Sequence, residues 1–140
     1  ELQGLEEPAL VLTPPEVASK LDDGLLTASE IVDLKLDADW VLLSACNTAG
    51  GDEPGAEGLS GLARAFLFAG ARSIVVSHWP VRDDAAARLT TSTLRTYAET
   101  EVRRAEALQS AMLTLMRDTQ DPSLAHPSAW APFVIVGQGG

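Results

Sequence analysis

The sequence predicts an α/β protein: a mainly parallel sheet in the middle of a three-layer arrangement, with helices on its faces. Three observations carry this expectation. Trp40–Ser44 and Ser73–Ser77 are short apolar runs without in-and-out alternation, the pattern of strands covered on both faces in a parallel sheet. Between them, Leu59, Leu62, Ala63, Phe66 and Gly70 recur at helical spacing. Strand, helix and strand make a βαβ unit, whose crossover lays the two strands parallel in one sheet.

The remaining elements follow along the chain. Ala9–Thr13 is β-prone and is stopped by Pro14 and Pro15, and Asp22-Asp23-Gly24 reads as a turn, so residues 1–24 form an edge hairpin or loop. Thr27-Ala-Ser-Glu30 has capping-box spacing and opens a short helix through Ile31, Leu34 and up to Leu36. After Trp40–Ser44 comes the glycine-rich stretch Ala49–Gly58, then the helix Leu59–Ala69, with Gly70 suited to the position just past its end. Asp83 or Asp84 is placed to cap a helix through Leu89, Thr93 and Tyr97. Ala105, Leu108, Met112, Leu115 and Met116 mark the buried face of another, with the methionines as core filler. A loop over 118–132, with prolines at 122, 127 and 132, leads to a last strand, Phe133–Val136.

A chain of 140 residues with 46% hydrophobic and 21% charged composition is expected to fold as a single globular domain, in two parts: an acidic entry segment over 1–39 and a core over 40–140. No apolar run approaches the roughly 20 residues needed to span a bilayer, and the start of the chain lacks a signal-peptide pattern. A single cysteine fits a reducing cytoplasm. The first 39 residues hold 10 acidic and 2 basic side chains, against 10 and 8 in the rest. Such a surface repels phosphate backbones, so neither nucleic acid nor an anionic membrane is expected as a partner, and basic peptides or protein surfaces are.

Cys46 follows the first buried strand, where reactive groups gather because the chain leaves the sheet. A cysteine nucleophile needs a nearby base or positive field, and N–H donors for the oxyanion. The turn at Cys46-Asn47-Thr48 and the glycines after it can offer such donors. His78, leaving the second strand at the same edge, is the base that topology suggests, with neighbouring strands about 4.8 Å apart. A turn histidine preceding Pro80 is the structural alternative for it. His126 reads as a loop residue that pins the last strand. Asp52, Glu53 and Glu57 are candidates to receive a basic substrate side chain, or else form a solvated loop. One cysteine and two histidines, 32 and 48 residues apart, match no metal-ligand spacing, so no metal and no cofactor is expected. The glycine loop lacks the Gly-Lys-Ser/Thr ending of a phosphate-binding loop, and Ser44 has no Gly-x-Ser-x-Gly setting.

Leu43-Ser-Ala-Cys-Asn-Thr-Ala49, Gly55 to Ser73, Val76-Ser-His-Trp-Pro-Val81 and His126 to Gly137 together resemble the CHAT domain over nearly the whole chain. CHAT domains are similar to caspases, separase and gingipains, cysteine peptidases of three-layer αβα fold, in bacteria often attached to tetratricopeptide repeats. The resemblance implies that Cys46 is the nucleophile and that its backbone N–H serves the oxyanion. It places the general base in a His-Gly motif on a preceding strand, and no such motif occurs between Glu1 and Trp40. That reading makes the chain a partial CHAT domain lacking its N-terminal portion, inactive alone, and displaces His78 as base. It implies as partners a peptide or protein substrate, an upstream segment and repeats of the same polypeptide, and self-association through surface left open. A non-catalytic interaction module and a redox-sensing thiol at Cys46 are the competing functions.

Overall fold

The computed structural model describes residues 7–19, 23–43 and 61–138. Strand β1 (Ala9–Val11) pairs antiparallel with β2 (Leu25–Thr27), Ala9 opposite Thr27, and forms a small sheet of its own. A hairpin is present, but its second strand lies at Leu25–Thr27, beyond the expected span of 1–24. Gly24 closes it at φ +84°, its carbonyl accepting from the Leu12 N–H at 2.8 Å.

Helix α1 (Ala28–Asp33) starts on the expected capping box. The Glu30 amide donates to Thr27 Oγ1 at 3.3 Å, and the Thr27 amide donates to Glu30 Oε2 at 2.8 Å. Two N–H groups that a helix start leaves unpaired are satisfied in this way. The helix ends a turn earlier than the apolar spacing suggests, because Leu34 is already extended at ψ 124°. Leu36 is used differently: its amide donates to the Ala69 carbonyl at 2.7 Å, tying this connection to the end of the next helix.

Strand β3 (Val41–Leu42) runs parallel to β4 (Ser73–Ser77), with helix α2 (Gly61–Phe68) between them in sequence. The βαβ expectation holds for this pair. The Leu43 amide adds one more rung, to the Val75 carbonyl at 2.9 Å. The expectation of a mainly parallel sheet does not survive: β5 (Phe133–Gly137) pairs antiparallel with β4, Ser77 opposite Phe133 and Ser73 opposite Gly137. Among the described residues the main sheet is β3-β4-β5, one parallel and one antiparallel pair.

Helix α3 (Asp83–Glu99) begins one residue before the capping reading allows: Arg82 holds the N-cap position without a side-chain bond, and Asp83 and Asp84 lie in the first turn. Carboxylates there still favour the helix through its dipole. In α4 (Arg104–Met116) the buried face is Ala107, Leu108, Ala111 and Leu115; Ala105 and Met116 point outward and Met112 is half-buried. The face is rotated from the expected one because α4 packs on α3 through small residues, matched on α3 by the buried Ala85 and Ala86.

All five residues of β4 are buried, and alternate ones face opposite cores. Ile74 and Val76 join Ile31 of α1 and Leu62, Ala63 and Phe66 of α2. Val75 joins Leu89 of α3, Leu108 and Leu115 of α4, Leu124 and Phe133. Helices therefore cover both faces of this small sheet, and the two-residue side-chain period of one strand feeds two cores.

The loop after α4 is held against the start of α3 by charge. Arg82 bonds Asp84 at 2.7 Å and Asp121 at 3.0 Å, and Arg88 bonds Asp118 at 2.7 Å. The Asp121 and Gln120 amides donate to Asp118, at 3.1 and 2.7 Å, and with Arg88 they hold its carboxyl below the usual carboxylate range. A carboxyl depressed in the folded state adds stability above its unfolded pKa and loses it as pH falls through the folded value, here below about pH 4. The urea midpoint is expected to fall on acidification through that range, and Asp118→Asn to make the fall shallower. An acid limb of unchanged slope in Asp118→Asn would refute the assignment.

Candidate functional site

Because β3 and β4 are parallel, their carboxyl ends share one edge of the sheet, and β5 begins at that same edge. Leu43, just after β3, is the last described residue before the segment that carries Cys46. Cys46, Asp52, Glu53 and Glu57 all lie outside the described residues. His78 follows Ser77 directly on β4. Its amide donates to the Pro132 carbonyl at 3.1 Å, which fixes the backbone where the chain leaves the sheet. The imidazole is exposed and bonds to no other described residue, so the chain positions this histidine through its backbone and leaves the ring open to solvent. Trp79, 42% exposed, adds a half-open aromatic face beside it.

A cleft of about 550 Å³ lies beyond His78, lined by Pro80, Arg82, Ser123, His126 and Ser128 among others. Two short 3-10 turns, Pro122–Ala125 and Pro127–Ala129, build its far wall. Each starts on a proline preceded by a capping side chain: Asp121 accepts from the Ser123 amide at 3.1 Å, and His126 Nδ1 accepts from the Ser128 amide at 3.2 Å. Proline suits the first helical position because its missing N–H would have no partner there. His126 is thus a capping residue in the loop before β5, close to the expected pinning role. Ser123 and Arg82 hold the Asp121 carboxyl below its ordinary range. The cleft was not foreseen, since its walls come from 80–82 and 122–129, which only the fold brings together. The Asp-Pro and His-Pro pairs were the available signal.

The opposite edge of the sheet is built differently. Arg72 bonds Asp37 at 2.5 Å and Asp39 at 3.0 Å, its amide donates to the Ala38 carbonyl, and Ser73 Oγ donates to the Asp39 carbonyl at 3.0 Å. Arg104 reaches Asp39 at 3.5 Å and the Gln138 carbonyl at 3.2 Å, and lies 5.8 Å from the Tyr97 ring centre, with the Trp40 ring packed against Tyr97 at 5.0 Å, tilted by 39°. The amino-terminal edge is laced by ions and rings, whereas at the carboxyl-terminal edge the described His78 side chain is exposed. Among the described residues, no three histidine, aspartate or glutamate side chains cluster as a metal site, and no helix is long and apolar enough to cross a membrane.

The model of the family described as the CHAT domain matches residues 2–138. The chain belongs to the CHAT domain family. Mouse Tetratricopeptide repeat protein 28 is 34% identical to it over 113 residues, 81% of this chain and 4% of that protein. The human protein of the same name is 32% identical over 117 residues, 84% of this chain and 4% of that protein. This CHAT domain thus spans about 4% of the length of the curated relatives it matches, and both are mammalian rather than bacterial.

Proposed function

We propose that this CHAT domain is the nucleophile-bearing part of a caspase-like cysteine peptidase, of three-layer αβα fold, within a longer protein that carries tetratricopeptide repeats. The parallel β3–β4 pair carries the reading. Its parallel pairing puts the carboxyl ends of β3, which precedes Cys46 in sequence, and of β4, which His78 follows, at one edge of the sheet, and Pro80 and Arg82 just beyond His78 line the cleft. A base takes the proton from Cys46 Sγ, and the thiolate attacks the carbonyl carbon of a peptide bond. Its π electrons move to oxygen, facing the Cys46 N–H. Collapse breaks the C–N bond, the amine leaves with the proton from the base, and water hydrolyses the thioester. The base is a histidine of the family's upstream His-Gly motif. Asp52, Glu53 and Glu57 favour a basic residue before the scissile bond.

The test has two parts. In the intact protein, Cys46→Ala should abolish cleavage of a basic peptide, and reversing the three loop acids should remove the preference for basic sites. In this chain, the pH dependence of Cys46 alkylation reports the thiol pKa. A value near the free-thiol ~8.5 is expected, since the base lies elsewhere. A value well below ~8.5 that rises in His78→Ala would move the base to His78 and overturn that assignment.

The relatives are named for their repeats, which favours a second reading, a docking module of a scaffold protein. Both readings have the domain seated on its own repeats. Cleavage that persists in Cys46→Ala would leave only this second one.

A further inference from the structure

Helices α1 and α2 pack side by side and leave a shallow groove of about 230 Å³ on their outer surface. Its floor is Ala28 and Ala65, small enough to admit another backbone, and its apolar walls are Val32, 48% exposed, and Phe68, 81% exposed. Scattered single apolar side chains are ordinary on a protein surface, but a phenylalanine and a valine flanking an alanine floor form a shaped acceptor. The rim is charged. Glu7 accepts the Ser29 amide and hydroxyl at 2.8 and 2.7 Å and is thereby occupied. Arg64, one helical turn before Phe68 on the same face, is exposed and makes no ion pair among the described residues.

Resting on the reading that this domain is seated on its own repeats, we infer that the α1–α2 groove is the seat. The occupant is one amphipathic helix of the tetratricopeptide-repeat region, with a bulky apolar side chain between Val32 and Phe68 and a carboxylate on Arg64. Three features select it. Tetratricopeptide repeats are arrays of helix pairs, so helices are what such a partner has to offer. A groove between two helices receives a third by the same ridge-into-groove packing that joins the first two. An arginine that makes no ion pair among the described residues, beside an apolar wall, suits an acid placed one turn from an apolar anchor. The relatives, in which a match to this domain covers 4% of the chain, leave ample polypeptide to supply it.

The experiment measures binding of this chain to the separately produced repeat region of its own polypeptide by titration calorimetry. Variants Phe68→Asp, Val32→Asp and Arg64→Glu are compared with Leu94→Asp, a site on α3 that is 45% exposed, close to Val32. Circular dichroism and a urea melt establish that each variant is folded. The expected result is that the first three weaken binding by roughly tenfold or more, Arg64→Glu most strongly at low salt, while Leu94→Asp binds as the parent does. Binding that all four variants retain would overturn the groove and leave the seating on the repeats standing. No binding by the parent chain at all would overturn the seating itself. Self-association abolished by Phe68→Asp, without repeat binding, would assign the groove to a second copy and overturn the helix as occupant.

Discussion

Gly70→Ala is expected to destabilise the domain by about 3 kcal/mol or more, a large part of the roughly 5–15 kcal/mol that holds a domain together. Two costs add. Gly70 sits at φ +109°, a conformation that a residue with a Cβ adopts only under strain, at about 1–3 kcal/mol. A Cβ built there would also stand 2.2 Å from the Leu36 carbonyl oxygen, which is backbone and cannot swing aside. The Leu36 amide is bonded to the Ala69 carbonyl at 2.7 Å, so any retreat breaks the bond that ties the α1–β3 connection to the α2–β4 connection. Urea unfolding of the variant should show the loss as a lower midpoint with an unchanged slope. A change within about 0.5 kcal/mol, the range of an ordinary surface substitution, would mean that this junction is not fixed as described.

Ile74→Ala and Leu89→Ala are each expected to cost about 2–5 kcal/mol, since both side chains are completely buried and truncation leaves a cavity. Their combination is the sharper prediction. Ile74 belongs to the core shared with α1 and α2, and Leu89 to the core shared with α3 and α4, on the other side of the sheet. Sites without shared neighbours add to within about 0.5 kcal/mol, so the double variant should lose the sum of the two. A coupling well beyond that would show that the two cores act as one through β4. Should the double variant fail to fold, Ile74→Val with Leu89→Val measures the same coupling at smaller cost.

Much of the scaffold was legible because local chemistry decides it. Ser73–Ser77 could be read as a doubly covered strand because every residue in it is small or apolar, and its bounds are those of β4. Thr27 and Glu30 announced their helix through side chains that serve only a helix start. Gly70 announced the next helix's end through its freedom at positive φ. What misled was direction and face. Nothing in Phe133–Gly137 says which way it lies against β4. That depends on the path from α4 through two 3-10 turns, which brings the chain back to the carboxyl-terminal edge and sends it down antiparallel. On α4, the apolar spacing points to Ala105 and the methionines as the buried face and misses Ala107 and Ala111, although Ala111 shares a core with Ala85, Ala86 and Leu89 of α3. At the site, the sequence placed His78 just past the carboxyl end of its strand, as it stands after β4, and the parallel pairing of β3 with β4 followed from the βαβ pattern. The cleft was illegible because Arg82 and His126 are far apart in sequence and carry no shared motif. Cys46, Asp52, Glu53 and Glu57 lie outside the described residues.

The antiparallel seat of β5 matters for how the chain is made. Strand β4 contains no charge, its middle residues are branched and apolar, and it is hydrogen-bonded on both sides in the finished fold. During synthesis it emerges well before residues 133–137. At about 5–20 residues per second, one of its edges stays unpaired for several seconds while α3 and α4 are still being added. An uncharged, β-prone edge of that kind recruits other chains. The nascent polypeptide is therefore most exposed to aggregation in that interval, and ribosomes stalled between residues 78 and 132 should yield insoluble product while release after Gly137 should not.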